Sequence, residues 1–134
     1  MKKYICTIIA FLLILGLCAC GGKVAGVKTR NVTSEIYSQK DISSAINTIK
    51  REFKYTWSGC TLTEIYYAGD ECSEEHQDWA NENNADEVIV LLSSFDVDSS
   101  GGDGSLNPNS TYDNWSWILV RTSGGKWKHV DHGY

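Results

Sequence analysis

His129 and Asp131 stand two residues apart near the carboxyl end, where alternation would put both on one face of a strand. An imidazole beside a carboxylate is the usual equipment for general acid–base chemistry. No nucleophile accompanies them in a recognisable frame, since neither Gly-x-Ser-x-Gly nor His-Glu-x-x-His occurs. Trp115, Trp117, Arg121 and Trp127 gather around the pair. Exposed indoles with a guanidinium are what binding surfaces use, so these four residues with His129 are candidates for gripping a sugar, a peptide or a partner protein. Tryptophans that fill a core or pair across strands would look the same in sequence. Asp96-Val97-Asp98-Ser99-Ser100-Gly101 places oxygens at positions one, three and five and glycine at six, as a calcium loop does, with Asp103 as a further ligand candidate. The twelfth position, however, is Asn107 where a bidentate acid belongs, and a Gly/Ser/Asp connection has the same composition.

The cysteines divide by position. Cys6, Cys18 and Cys20 lie in or at the end of an apolar leader, in which Lys2 and Lys3 precede an uncharged run from Ile5 to Leu17. That run offers about 15 apolar residues where a membrane-crossing helix needs ~20. Leu17-Cys18-Ala19-Cys20 resembles the lipobox of bacterial lipoprotein precursors, a resemblance confined to the first twenty residues. It implies that residues 1–19 are a removed signal peptide. Cys20 would then carry a diacylglycerol on its thiol, and the mature protein would be lipid-anchored on the extracytoplasmic face of the cell membrane. Cys60 and Cys72 remain; an oxidising location permits a disulfide between them. A straight strand after Cys60 would carry the chain farther than four residues can bring it back, which favours two reduced thiols. No third thiol or His lies at zinc spacing beside either.

Removing residues 1–19 takes away Lys2 and Lys3 and no acid, so the net charge of −5 becomes −7. An acidic body should be held off an anionic envelope rather than laid on it. Nucleic acid is excluded as a partner because no stripe of Lys or Arg tracks phosphates; Lys50, Arg51 and Lys54 surround Glu52 as a solvated helix face would. The remaining 115 residues suffice for one domain.

The elements that must position these residues are legible in part. Gly21 to Glu35 is small and polar and reads, with Cys20, as a flexible tether, residues 20–35. Tyr37 as staple, Ser38 as N-cap and Asp41 at N3 open a helix from Gln39 to about Tyr55, with Ile42, Ala45, Ile46, Ile49 and Phe53 as its apolar stripe. Trp57-Ser58-Gly59 ends it. Cys60 to Ala68 reads as a strand, and Ser73 as the N-cap of a short second helix running to about Asn83 with His76 in its first turn. Strands over Glu87–Val97, Tyr112–Thr122 and Lys126–Asp131 follow, the last two joined by a Ser123-Gly124-Gly125 hairpin. Alternation sends Ile118 and Val120 to the helix and Trp115, Trp117 and Arg121 to the opposite face, with the reverse assignment left open by the undetermined register.

The fold class is α+β: a curved antiparallel sheet of about four strands on a long N-terminal amphipathic helix, plus a short second helix. The helix-strand-helix-three-strand order over residues 36–134 is similar to the cystatin-like or nuclear-transport-factor-like cone fold. More narrowly, Ser94-Phe95-Asp96-Val97-Asp98, Trp115-Ser116-Trp117-Ile118-Leu119-Val120 and Gly124-Gly125-Lys126-Trp127 resemble a family of Gram-positive lipoproteins with no established activity. The resemblance implies a sheet wrapped around the first helix and carries over no catalytic residues. The expected role is a membrane-tethered, non-catalytic domain, monomeric or weakly dimeric, that binds a small ligand or an envelope protein without a cofactor. The alternative is a small cone-fold enzyme, of isomerase or hydrolase type, built on His129 and Asp131, with Tyr112 and Glu64 as further pocket candidates.

Overall fold

Helix α1 (Gln39–Thr56) starts at a reciprocal cap. Ser38 Oγ accepts from the Asp41 N–H at 3.0 Å, and the Asp41 carboxylate accepts from the Ser38 N–H at 3.2 Å, which satisfies two of the helix's orphan donors. Its stripe of Ile42, Ala45, Ile49 and Phe53 is buried and Ile46 packs beside it; a fully buried side chain of this kind contributes about 1.5–3 kcal/mol. Gly59, at φ +75°, turns the chain out of the helix and into β1 (Cys60–Tyr67). This computed structural model describes residues 21–134; the leader expected over residues 1–19 and the lipidation expected at Cys20 lie outside the described residues.

After β1 come α2 (Asp70–Glu75), α3 (Gln77–Glu82), β2 (Glu87–Val97), β3 (Thr111–Arg121) and β4 (Lys128–Gly133). The strands form one open antiparallel sheet in the order β1-β2-β3-β4, so the class is α+β. The single second helix expected from Ser73 is instead two short ones that break at His76. Ser73 is not a cap: it is buried inside α2 with its hydroxyl 3.2 Å from Tyr67 Oη. Asn84, at φ +53°, closes α3.

Both faces of the sheet are covered. α1 packs on one face against Leu62, Ile65, Ile89, Leu91, Phe95, Trp117 and Leu119. On the other face Val88, Val90, Ile118 and Val120 meet Ala80 of α3. Ile118 and Val120 therefore face away from α1 and Trp117 faces it, the reverse of the expected assignment. Trp117 to Val120 are four consecutive buried residues, so apolar character could not tell the two faces apart.

Residues 21–35, expected as a flexible tether, lie along the outer edge of β1. Lys23 N–H donates to Cys60 O at 2.9 Å, Leu62 N–H to Lys23 O at 2.9 Å, and Ile65 N–H to Lys28 O at 2.9 Å. Val24, Val27 and Val32 pack on the core, and Arg30 pairs with Glu64 at 2.7 Å. The β1 edge recruits this segment because an uncovered edge leaves a row of unpaired backbone groups. Among the described residues, no helix is long and apolar enough to cross a membrane.

Candidate functional site

A single extra residue in β4 determines which side chains meet. Leu119 pairs with His129 and Ile118 with Asp131, so Val130 is bulged out of the ladder. Past the bulge, His132 pairs with Trp117 and shares the α1 face with His129, while Asp131 is displaced to the opposite face and exposed. The expected His129–Asp131 side-chain pair does not form: of Asp131, His129 Nε2 meets the backbone carbonyl, at 3.0 Å, and not the carboxylate. The partner carboxylate comes from α1. His129 Nδ1 lies 2.8 and 2.7 Å from the two oxygens of Glu52 and donates to them, and His129 Nε2 lies 3.2 Å from His132 Nδ1.

A second irregularity gathers the aromatics. Between β2 and β3 the pairing passes from Ser93↔Trp115 to Phe95↔Tyr112, and Asn114 takes φ +56° in the displaced stretch. Tyr112, Trp115 and Trp117 consequently all turn toward α1, where Trp57 completes the group. Trp57 stands 6.0 Å from Trp115 at 82° and 5.0 Å from Trp117 at 65° (centroid distances), with the His132 ring 5.2 Å away. Trp57 and Trp115 are half-buried walls of a cavity of about 370 Å³, with Glu52, Cys60, Leu106 and His132 among its other lining residues. The volume is that of a small-ligand site. Desolvation against the indoles, and then the neighbouring His129, hold the His132 imidazole below its usual range even though its outer side is open. The Nε1–H of Trp115 is the one buried side-chain polar group without a partner among the described residues.

The other expected binding residues belong to the far end of the same groove. Arg121 donates to Asp41 at 3.0 Å and pairs with Glu87, and its guanidinium lies 4.2 Å over the Trp127 ring. Trp127 is buried and donates Nε1–H to Asp41 O at 3.1 Å. The aromatic strip proposed from sequence is thus divided: Trp115, Trp117 and His129 sit with the cavity, whereas Arg121 and Trp127 brace the start of α1. Trp117 itself is fully buried and offers no free surface.

The acidic loop is spent on itself. Asp98 Oδ1 accepts from Ser100 N and Oγ at 2.8 and 2.5 Å, Asp103 Oδ1 from Ser105 N and Oγ at 2.9 and 2.5 Å, and Asp96 Oδ1 from Thr111 Oγ1 at 2.7 Å. Each carboxylate serves its own turn or strand neighbour, as Asp does in Asx turns. Of the candidate calcium ligands Asp96, Asp98, Ser100 and Asp103, only Asp98 and Ser100 bond to one another, and among the described residues no three His, Cys, Asp or Glu form a group able to hold a metal ion. Cys60 and Cys72 are both free thiols, the first buried and the second half-buried. Desolvation raises the pKa of each, helped at Cys60 by Asp98 and Asp103 and at Cys72 by Glu75. His76 is anchored locally by Cys72 O, 2.7 Å from its Nδ1.

Sequence reasoning passed over Glu52 and Trp57. The signal for Trp57 was present, since it continues the stripe Ile42, Ile46, Ile49, Phe53 by one more turn. Glu52 sits in sequence among Lys50, Arg51 and Lys54 like a solvated charge, and nothing local indicates that His129, 77 residues away, lies opposite it. No family model, curated protein or solved structure matches this chain.

Proposed function

We propose that this chain is an extracytoplasmic lipoprotein domain, anchored through Cys20, that binds a small ring-bearing polar ligand in the Trp57–Trp115 cavity. The reading of the fold that accompanies it is a cystatin-like or nuclear-transport-factor-like cone, the sheet curving around α1. Three bulges support that curvature, after Leu62, after Ser93 and between Ile118 and Leu119, because bulges bend and twist strands. The observation that carries the binding role is the corner made by two half-buried indoles at 82°, edged by Glu52, Asp103 and His132. A sugar-like ring has an apolar face for an indole and hydroxyls for carboxylate and imidazole edges, whereas a purely apolar ligand would strand those polar groups.

The test is titration of the protein with neutral mono- and disaccharides, followed by tryptophan emission and calorimetry. Saturable binding that Trp57→Ala abolishes and Trp127→Phe preserves is the expected result. Absence of saturation across the panel, or identical loss in both variants, would remove the cavity from consideration.

One observation favours a second, catalytic reading. Glu52, His129 and His132 form a hydrogen-bonded series that ends at the cavity, and a largely neutral His132 is suited to accept a proton. The Asp131 carboxylate has no part in it; only its backbone carbonyl approaches His129. Hydrolase or isomerase turnover that falls in both Glu52→Gln and His132→Asn, with binding retained, would establish this reading over simple binding.

A further inference from the structure

The chain enters the described fold at the cavity. Gly22 N–H donates to Phe53 O at 3.2 Å, and Gly21 and Gly22 press so closely on the last turn of α1 that side chains would not fit. A Cβ on Gly21 would meet Lys54 O at 1.9 Å, and one on Gly22 would meet Phe53 O at 2.5 Å and Trp57 O at 2.7 Å. Two glycines are required there for close backbone approach rather than for flexibility. The next residue, Lys23, is locked into the β1 edge. Trp57, which Gly22 touches, is a wall of the cavity, and Cys60, whose carbonyl Lys23 bonds, is another.

Gly21, the residue bonded to Cys20, is therefore already fixed to the folded domain, and consecutive Cα atoms lie only about 3.8 Å apart. A mobile tether would let an acidic body drift away from a membrane; a clamp of this kind sets both distance and orientation. The same end carries Tyr55 and Tyr134, which are 69% and 83% exposed. Tyr55 adjoins Gly21, and Tyr134 lies 5.3 Å from Trp115. Tyrosine is the residue type that settles at the headgroup layer of a bilayer, with its ring in the apolar boundary and its hydroxyl in water.

We infer that the domain rests on the bilayer surface with its aromatic cavity at the headgroup layer, held there by the Gly21–Gly22 clamp. This rests on the proposed lipidation of Cys20. The occupant of this face is the bilayer itself; the short link brings the body to it against the repulsion that a net charge of −7 (−5 less the two lysines of residues 1–19) meets at an anionic surface, a repulsion that would hold off a body on a long tether.

The experiment uses the lipidated full chain in phosphatidylcholine vesicles, with and without a phosphatidylcholine brominated near the headgroup. Co-sedimentation reports anchoring, and quenching of tryptophan emission reports depth. Wild type should co-sediment and be quenched, with the quenching diminished in Trp57→Phe and Trp115→Phe and retained in Trp127→Phe. A ten-residue Gly/Ser insertion between Cys20 and Gly21, reaching about 18 Å as a random coil, should keep co-sedimentation and abolish quenching. Co-sedimentation without quenching of the wild type overturns the docked orientation, and quenching that survives the insertion overturns the clamp as what holds it; either result leaves the anchor standing. Failure of the wild type to co-sediment overturns the anchor and the orientation with it.

Discussion

The two ends of the groove between α1 and the sheet are built from the same residue types and treat them in opposite ways. At the start of α1, Trp127, Tyr37 and Arg121 satisfy every polar tip: indole to Asp41 O, phenol to Val88 O at 2.5 Å, guanidinium to two carboxylates. Burial, and then the nearby Glu87, push the Tyr37 phenol up to about 12, so it remains a neutral donor. At the end of α1, Trp57 and Trp115 are left half-open around a cavity, one indole N–H has no partner, and a histidine sits below its normal range. Aromatic and charged residues clustered in sequence thus do not by themselves indicate a site. What separates a brace from a site is whether the hydrogen-bonding capacity is used up internally.

That contrast can be broken or sharpened by substitution. The largest effect should come from Phe53→Ala, because Phe53, on the last turn of α1, is fully buried and contacts Trp57, Phe95 and Trp117. A loss of about 3–5 kcal/mol in urea denaturation is expected for a buried aromatic, and a small loss would mean that α1 is not the organising element. Arg121→Met should cost about 2–3 kcal/mol, less than a fully buried pair would, because the side chains of Asp41 and Glu87 are each 31% exposed. It should leave ligand binding at the cavity unchanged; a matching loss of binding would show that the ends are coupled.

The most direct comparison is between two equivalent truncations. Trp127→Phe removes the indole N–H bond to Asp41 O and leaves only a smaller phenyl ring under Arg121, so it should cost about 1–2 kcal/mol. Trp115→Phe removes a donor that has no partner and should stay within about 1 kcal/mol of wild type. Equal costs would contradict the distinction between a satisfied end and an unsatisfied one.

Acidification should also separate the ends. His132 titrates lower in the folded state than the ordinary 6.5, so its contribution is complete above about that pH and is lost as the pH falls through the lowered value. Asp41 is held below its usual 3.8, first by the Arg121 hydrogen bond, so its contribution is complete above that value and is lost only at still lower pH. In thermal melts across pH, His132→Asn should flatten only the upper window and Asp41→Asn only the lower. A single merged transition unaffected by His132→Asn would remove the special status of the cavity end.

Local chemistry made the helix legible: the Ser38–Asp41 cap and the Ile42–Phe53 stripe are interactions between near neighbours, and α1 forms where they predict. Both the α+β class and the strand order along the chain followed from composition and turn signals. The clamped segment at residues 21–35 was not legible, because small polar residues look the same whether they flank an edge strand or float free. Nor was the second helix's break at His76, or the burial of Ser73 against Tyr67, a residue on the preceding strand.

The site was half legible, and the reason is periodicity. Alternation by two predicts His129 with Asp131; one bulged valine turns that into His129 with His132 and hands the carboxylate's role to Glu52 on another element. A bulge costs little locally and has no side-chain signature here, yet it changes the face of every later residue in its strand. The chain alone therefore specified which segments would be helix and strand, since that depends on neighbours. Only the tertiary structure decided which face each tryptophan and histidine occupies, because facing depends on register with strands distant in sequence.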